Sequence, residues 1–268
     1  MQLAVVVPVK DRERYVEILL RELPTYLERV NLIRDYTIYV AEQIGEDVFN
    51  LALSRNVGAA VALADGGYDY FVFQDVDVVP VTHVDYRFLG RGEAWFLTAG
   101  GCKLLASDLV RVNGYNPRFL GWGCEDVEFY HRLHALGCAH HEWHRSDEAR
   151  NAVVVNLEWP SFSEAQSLEW SQGYFGHQRD RPRFISLESW LPGVTLERHP
   201  KSPDFMRDER QRRNERVWHE MWHLPAGEKL RYIAENGLNL VDLSKAAIAR
   251  PSPRIVRITY RSDDVRRS

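Results

Sequence analysis

The chain has 268 residues, of which 45% are hydrophobic and 27% charged, and its formal net charge is −4. This is an ordinary globular composition, and the length suits one large domain or a domain with an appendage. The mild acidity and the lack of a long basic run exclude the charge pattern of a nucleic-acid-binding protein. Three widely spaced cysteines form neither a zinc pattern nor a disulfide framework.

The N-terminal apolar run, residues 2–9, is too short for the core of a signal peptide and is followed at once by charged residues. No stretch of the sequence approaches the ~18 consecutive apolar residues of a membrane span. The sequence therefore predicts a soluble protein without a transmembrane segment, located in the cytoplasm.

The first 80 residues alternate between strand and helix patterns. Strands are predicted over 2–9, 35–42 and 69–79, and helices over 12–23 and 48–64. This order indicates an α/β fold with a parallel sheet and crossover helices. In such sheets ligands bind beyond the carboxyl ends of the strands.

The second half of the chain gives further predicted elements. The segment 95–105 is predicted to be one strand interrupted by paired glycines, which suggest that another group approaches the backbone closely. A loop leading into an amphipathic helix is predicted over 114–137. The core side of this helix is expected to carry Val127, Tyr130, Leu133 and Leu136. The remaining predictions are a short edge strand over 138–143, a helix over 202–222 and a last strand over 254–260.

Asp75 and Asp77 follow the apolar run of the third strand directly. Burying carboxylates is costly unless a positive or hydrogen-bonding group meets them. Residues two apart in a strand share a face, so both carboxylates are expected to approach one ligand. An Asp-x-Asp pair at this place suits Mg²⁺ or Mn²⁺ that also contacts a diphosphate. The alternative is an ordinary turn after the strand, where Asp is common.

A second acidic pair, Glu125 and Asp126, follows Gly-Trp-Gly-Cys at the predicted start of a helix. One interpretation is that acidic residues favour helix N-termini because of the helix dipole. The other is that Asp126 is a general base and that Trp122, on a glycine-flanked loop, is a stacking surface for a sugar.

Taken together, these motifs resemble the β-1,4-galactosyltransferase family, family 7 of the glycosyltransferases, in its soluble bacterial-type form. Ordered blocks carry the resemblance: residues 5–19, the Phe-Asn-x-Ala helix start in 48–60, the Asp-Val-Asp in 71–80, the Gly-Gly to Trp-Gly-x-Glu-Asp stretch in 99–133, and the Gly-Leu-Asn segment in 235–243. Several blocks in the right order are more specific than any one motif.

The resemblance implies a GT-A fold, an α/β architecture of Rossmann-like nucleotide-sugar-binding type. In this fold a mixed, mostly parallel sheet is flanked by helices. A single domain over 1–268 is expected, with an insertion at about 145–193.

The resemblance also implies a donor-sugar pocket. Its expected lining for the UDP part and the donor sugar is Pro8, Lys10, Arg12, Phe49, Asp75, Gly100 and Gly101. Lys10 and Leu51 stand where arginines are common in the family, so bidentate phosphate contacts are not expected from them. Thr98 stands where galactose-using members carry a tyrosine, which leaves room for an N-acetyl group.

Asp126 is implied as the catalytic base, Glu125 as a residue that holds sugar hydroxyls, and Trp122 as part of a loop that closes over the donor. The implied metal ligands are Asp77 and His199. His141 and His144 form an alternative to His199, because their spacing also suits a metal. The expected cofactors are Mn²⁺ or Mg²⁺ and a UDP-sugar.

The segment 145–193 has no counterpart in the family pattern. Its aromatic residues are expected either to contact sugars or to form a small satellite core. They are Trp159, Trp170, Tyr174, Phe175 and Trp190.

The function implied by the resemblance is that of an inverting, metal-dependent glycosyltransferase. It would move galactose or N-acetylgalactosamine from a UDP-sugar to a hydroxyl of a glycan acceptor, with a β-linked product. Two alternatives remain open: another GT-A hexosaminyltransferase of chondroitin or polypeptide type, and a non-catalytic sugar-nucleotide-binding protein on the same fold.

Overall fold

The computed structural model describes residues 1–88, 93–98, 101–121, 123–142, 153–157, 183–185, 187–193 and 209–266. Within these residues, no helix combines the length and the apolar character needed to cross a lipid bilayer.

The helices and strands alternate in the first half of the chain, as the sequence predicts. In chain order they are β1 (Leu3–Val9), α1 (Glu13–Arg29), β2 (Tyr36–Gln43), α2 (Leu51–Asp65), β3 (Tyr70–Phe73), β4 (Val78–Thr82), β5 (Glu93–Thr98), β6 (Gly101–Leu105), α3 (Ala106–Arg111), α4 (Glu125–Ala135), β7 (Ala139–Glu142), β8 (Val153–Asn156), β9 (Arg183–Ile185), α5 (Leu187–Trp190), α6 (Glu209–Trp222), α7 (Ala226–Glu235), β10 (Ala247–Ser252) and β11 (Ile255–Tyr260).

The larger sheet of the described residues has the strand order β10-β11-β2-β1-β3-β6-β5-β7. Its centre is parallel, because β1 pairs with β2 and β3, and β11 also runs parallel to β2. The β10–β11, β3–β6 and β5–β6 pairs are antiparallel. The sheet is therefore mixed, and the predicted edge strand over 138–143 is confirmed as β7.

Strand β1 is apolar along its whole length because helices cover both faces of the sheet. Leu3, Val5 and Val7 belong to the core cluster on the α1 side, whereas Ala4 and Val6 belong to the cluster on the α2 side.

Helix α2 lies unusually close to the sheet. A Cβ added to Gly58 would lie 2.5 Å from Cγ1 of Val6, so a larger residue here would push α2 away from β1. This close packing fixes the N-terminal half of α2 next to the carboxyl ends of β1 and β3.

The third predicted strand divides into two. β3 ends at Phe73, and β4 joins β8 and β9 in a separate small sheet. Asp75 and Asp77 lie between them, in a turn closed by a hydrogen bond from the Val78 N–H to the Asp75 carbonyl (3.3 Å). The expectation that the two carboxylates share one strand face is therefore wrong, because the chain leaves one sheet for another at this point.

The segment predicted as one glycine-interrupted strand is an antiparallel pair. β5 and β6 pair with Thr98 opposite Gly101, so the chain reverses between these residues. Gly101 therefore opens a new strand after a reversal of the chain and does not interrupt one strand.

The predicted core side of α4 is only partly right. Leu133 is buried, but Val127 is 41% exposed, and the other buried residues of the helix are Glu125, Glu128, Phe129 and Arg132. Charged residues occupy the inner face because Glu128 and Arg132 neutralise each other there, with Nε of Arg132 2.8 Å from the carboxylate oxygens of Glu128.

Within the segment 145–193, the described residues include β8, β9 and α5. β8 and β9 extend the small sheet from β4. Trp190 packs against the core cluster on the α1 side, which agrees with a packing role for this tryptophan.

Candidate active site

The carboxyl end of β3 carries the first acidic pair. The Asp77 backbone carbonyl accepts a hydrogen bond from the Leu157 N–H (2.7 Å), so the turn is attached to the small sheet. The side chains of Asp75 and Asp77 are 22% and 17% exposed. Both carboxylates therefore line a partly open site rather than the closed core.

Arg12 connects the end of β1 to this turn. Its Nη1 donates to Oδ2 of Asp77 at 3.0 Å, and its guanidinium lies 5.5 Å from the ring centroid of Tyr15. Arg12 and Asp77, which the sequence assigns to the diphosphate and to the metal, are thus direct partners in this structure.

Pro8 and Lys10 lie at the carboxyl end of β1 as predicted. Pro8 is buried opposite Ala41 of β2. Nζ of Lys10 donates to the carbonyl of Gly45 at 2.5 Å and lies 3.3 Å from the carboxylate of Asp11. The ammonium group therefore anchors the loop after β2.

Asn50 organises the start of α2. Its Oδ1 accepts from the Leu53 N–H (2.8 Å), which caps the helix, and its Nδ2 donates to the Pro117 carbonyl (2.8 Å). Next to it, the Gly121 N–H donates to the Phe49 carbonyl at 2.7 Å. These bonds hold the half-buried Phe49 beside the loop that leads to the second acidic pair.

That loop has a sharply bent backbone. Gly121, Gly123 and Cys124 have φ angles of +70°, +105° and +69°. Glycine adopts such angles without a steric penalty, whereas Cys124 adopts a conformation that is strained for a residue with a Cβ. The bend delivers Glu125 and Asp126 to the first turn of α4.

Glu125 is buried and accepts a hydrogen bond from the Gly123 N–H at its Oε2 (3.1 Å). Asp126 is half-buried, and its Oδ1 accepts from the Val127 N–H at 2.8 Å. The two neighbouring carboxylates therefore differ in exposure, with Asp126 the more accessible.

Arg55 of α2 joins the two acidic pairs. Its side chain is fully buried, Nη2 lies 3.1 Å from Oδ1 of Asp75, and Nη1 lies 3.9 Å from Oε1 of Glu125. Its guanidinium also lies over the ring of Tyr115, 4.8 Å from the centroid. The structure thus brings together the two acidic motifs that the sequence predicts to form one site.

The proton affinities reflect this crowding. Burial raises the pKa of Asp75, and the charges of Asp77 and Asp126 add to the effect while Arg55 opposes it. Burial likewise raises the pKa of Glu125, with a further contribution from the charge of Asp126. The charge of Asp126 therefore acts on both Asp75 and Glu125.

Several predicted residues fall outside the described part of the chain. They are Gly100, Trp122, His144 and His199, together with Trp159, Trp170, Tyr174 and Phe175. His141 lies in β7, and Thr98 ends β5. Gly101 opens β6 at the chain reversal.

The described residues fit part of a divalent-cation site. Carboxylate oxygens are suitable donors for Mn²⁺ or Mg²⁺, and the partial exposure of Asp77 leaves room for phosphate oxygens of a nucleotide. Among the residues with described positions, no group of three histidine, cysteine or acidic side chains could hold a metal.

Sequence reasoning missed the residues that hold the site together: Arg55, Asn50 and Asn214. A signal for Arg55 exists, because it is the single charged residue of α2 before Asp65. A buried arginine is expected only where it is paired. No pattern distinguishes Asn214 from the other polar residues of the densely charged segment around it.

Comparison with known proteins identifies the family of the chain. Residues 1–87 match the model of the N-terminal region of glycosyl transferase group 7, and residues 90–152 match the model of the N-terminal domain of galactosyltransferase. Together the two matches span more than half of the chain. The chain belongs to the group 7 glycosyltransferases.

Curated relatives support the same family. The chain is 34% identical over 147 residues to beta-1,4-galactosyltransferase 1 of Bos taurus, covering 49% of the chain and 36% of that relative. It is 31% identical over 218 residues to beta-1,4-galactosyltransferase 1 of Mus musculus, covering 74% of the chain and 52% of that relative. This group 7 chain therefore matches only about a third to a half of each relative's length.

Solved structures confirm the predicted GT-A architecture. The catalytic domain of Drosophila beta1,4galactosyltransferase 7 in complex with xylobiose superimposes with a TM-score of 0.57 at 18% identity, covering 96% of this chain and 93% of that chain. A mutant of that enzyme in complex with manganese, UDP-Gal and xylobiose gives a TM-score of 0.56, also at 18% identity and with the same coverage of both chains.

Proposed function

We propose that this group 7 chain is an inverting, metal-dependent glycosyltransferase that moves galactose or N-acetylgalactosamine from a UDP-sugar to a hydroxyl of a glycan acceptor. The observation that carries the proposal is the meeting of the Asp75–Asp77 turn with the Glu125–Asp126 helix start around Arg55. The manganese and UDP-Gal bound by the Drosophila relative supply the donor and cofactor classes.

In the proposed reaction Asp126 takes the proton from the acceptor hydroxyl. Its greater exposure compared with Glu125 supports this assignment, because a base must reach the acceptor. The acceptor oxygen forms a bond to the anomeric carbon while the bond to the UDP oxygen breaks, and UDP leaves with the electron pair. A single displacement converts an α-linked donor into a β-linked product.

The other residues bind and orient the substrates. Pro8, Lys10, Arg12 and Phe49 flank the UDP part, and Glu125 holds a sugar hydroxyl. Gly100, Gly101 and Trp122 would frame the donor sugar. A divalent cation held by Asp77 and His199, with His144 or His141 as the alternative to His199, would neutralise the charge that develops on the departing UDP.

The donor sugar is tested by UDP release and product formation with Mn²⁺. The full chain is incubated with UDP-Gal or UDP-GalNAc and a panel of acceptor sugars, and Asp126→Asn is the matched control. We expect transfer from at least one donor and a loss of at least about 100-fold in kcat for the control. Clear preference for UDP-Gal would remove the suggestion, drawn from Thr98, that N-acetylgalactosamine is transferred.

A non-catalytic nucleotide-sugar-binding role is the second candidate. The contact of Lys10 favours this candidate. Its ammonium group donates a hydrogen bond to the Gly45 carbonyl, so one cation is not available to the diphosphate. Thermal stabilisation by UDP and Mn²⁺ together without transfer to any acceptor would support it. Transfer that depends on Asp126 would eliminate it.

A further inference from the structure

Arg55 is the residue that the proposed chemistry leaves unexplained. It is fully buried in α2, and a buried guanidinium costs several kcal/mol unless it is well paired. It does not line an open surface, so direct contact with a substrate is not its role in this structure. Its function must therefore be sought in the groups that it contacts.

The partners of Arg55 come from separate parts of the chain. Asp75 belongs to the turn after β3, Glu125 to the start of α4, and Tyr115 to the loop between α3 and α4. The loop is itself attached to α2, because Asn56 exchanges hydrogen bonds with the backbone of Tyr115 (2.8 and 2.6 Å).

The charges around Arg55 are predominantly negative. Asp75 and Glu125 contact it, and Asp126 is close enough to act on it electrostatically. Like charges in a partly buried site repel each other strongly, and a guanidinium remains protonated at every relevant pH. Arg55 therefore supplies a permanent positive charge between two acidic segments that would otherwise move apart.

We propose that Arg55 is a positioning residue that couples the Asp75–Asp77 turn to the Glu125–Asp126 helix start and sets their separation. The coupling is a property of the fold, and only its consequence for sugar transfer rests on the proposed function. Misplacement of a reacting group by about 1 Å can cost roughly 100-fold in rate, so this spacing matters for catalysis.

The coupling is tested first by a double-mutant cycle on thermal stability without ligands. The variants are Arg55→Met, which keeps an unbranched side chain of substantial length, Glu125→Gln, and the double variant. We expect Arg55→Met to lower Tm by about 10 °C, because it removes the positive charge beside the buried Glu125 and the partly buried Asp75. The loss should be smaller by several degrees in the Glu125→Gln background.

Additive effects of the two changes would overturn the proposed coupling. If Arg55→Met does not fold, the same cycle is carried out with Arg55→Lys, which keeps the charge but not the planar fork. This measurement involves no donor, acceptor or metal. It therefore tests the coupling even if no sugar transfer is found.

The consequence for catalysis is tested by kinetics. We expect Arg55→Met to lower kcat by about 100-fold and to change KM for the UDP-sugar much less. The kcat of Arg55→Lys should be about tenfold higher than that of Arg55→Met. Arg14→Met, on an exposed arginine of α1, is the matched control. Unchanged kcat in Arg55→Met would overturn the positioning role, whereas absence of transfer in the unmodified chain would count against the proposed function instead.

Discussion

Asn214 and Leu120 exchange a reciprocal pair of hydrogen bonds. The Leu120 N–H donates to Oδ1 of Asn214 (3.1 Å), and Nδ2 of Asn214 donates back to the Leu120 carbonyl (3.0 Å) and to the Gly123 carbonyl (3.0 Å). Because Asn214 is fully buried in α6, this helix holds both flanks of the bend that precedes Glu125.

Asn214→Ala should therefore loosen the entry to the site. The three partly buried hydrogen bonds named above contribute roughly 3 kcal/mol, so Tm should fall by about 5–10 °C. We also expect KM for the donor to rise severalfold, because the loop beside the donor is less well placed. Arg213→Ala, at the exposed neighbouring position, is the control and should change neither quantity. Equal effects of the two substitutions would contradict the assigned role.

The direct pairing of Arg12 with Asp77 leads to a second prediction. A cation that binds Asp77 must compete with the guanidinium 3.0 Å away. Arg12→Met should therefore bind Mn²⁺ alone about three- to fivefold more tightly, since a partly exposed ion pair is worth up to about 1 kcal/mol.

In the unmodified protein at saturating Mn²⁺, Arg12 is released from Asp77 and becomes available to the diphosphate. Arg12→Met lacks this contact and should therefore bind UDP more weakly under the same conditions. Calorimetric titration with Mn²⁺, followed by UDP, measures both effects. An unchanged Mn²⁺ affinity in Arg12→Met would argue that the pair does not compete with the cation.

The central sheet could be predicted from the sequence because its signals are local. Apolar strands such as β1, covered on both faces, and the amphipathic pattern of α1 define the alternating order directly. The resemblance to the family placed the two acidic motifs in one site, and the contacts of Arg55 agree with this placement.

Other features could not be predicted because they depend on long-range partners. The transfer of the chain from one sheet to another after Phe73 depends on β8, a strand more than 70 residues away. The predicted inner face of α4 is only partly right, because the Glu128–Arg132 pair that occupies it is satisfied only inside the folded protein. The role of Arg55 could not be predicted either, because its partners lie in segments that are far apart along the chain.

Cys124 gives a third prediction, based on its positive φ of +69°. Cys124→Gly should raise Tm by about 1–3 °C, because relief of strain exceeds the added entropy of the unfolded glycine chain. Burial raises the pKa of the Cys124 thiol to about 11, so no ionised group is lost at neutral pH.

Cys124→Val is the matched comparison, because a β-branched side chain is poorly tolerated in this backbone conformation. We expect the order of Tm to be Gly, Cys, Val from highest to lowest. A valine variant as stable as the unmodified protein would show that the backbone here is not constrained.

Glu125 gives the last prediction, which concerns pH. Burial, followed by the charge of Asp126, raises its pKa from 4.5 to about 7. Because the folded-state pKa exceeds the unfolded value, the stabilising contribution of this carboxyl is complete below pH 4.5 and is lost as the pH rises toward 7.

Glutamine mimics the protonated form and has no such loss. Without metal or nucleotide, the free energy of unfolding of Glu125→Gln should therefore increase relative to that of the unmodified protein across this pH range, by roughly 2 kcal/mol. The difference in Tm between the two proteins measures this change. The exposed Glu46→Gln serves as control and should show a flat difference. A difference for Glu125→Gln that moves in the opposite direction would mean that the attraction of Arg55 outweighs the cost of burying the charged carboxyl.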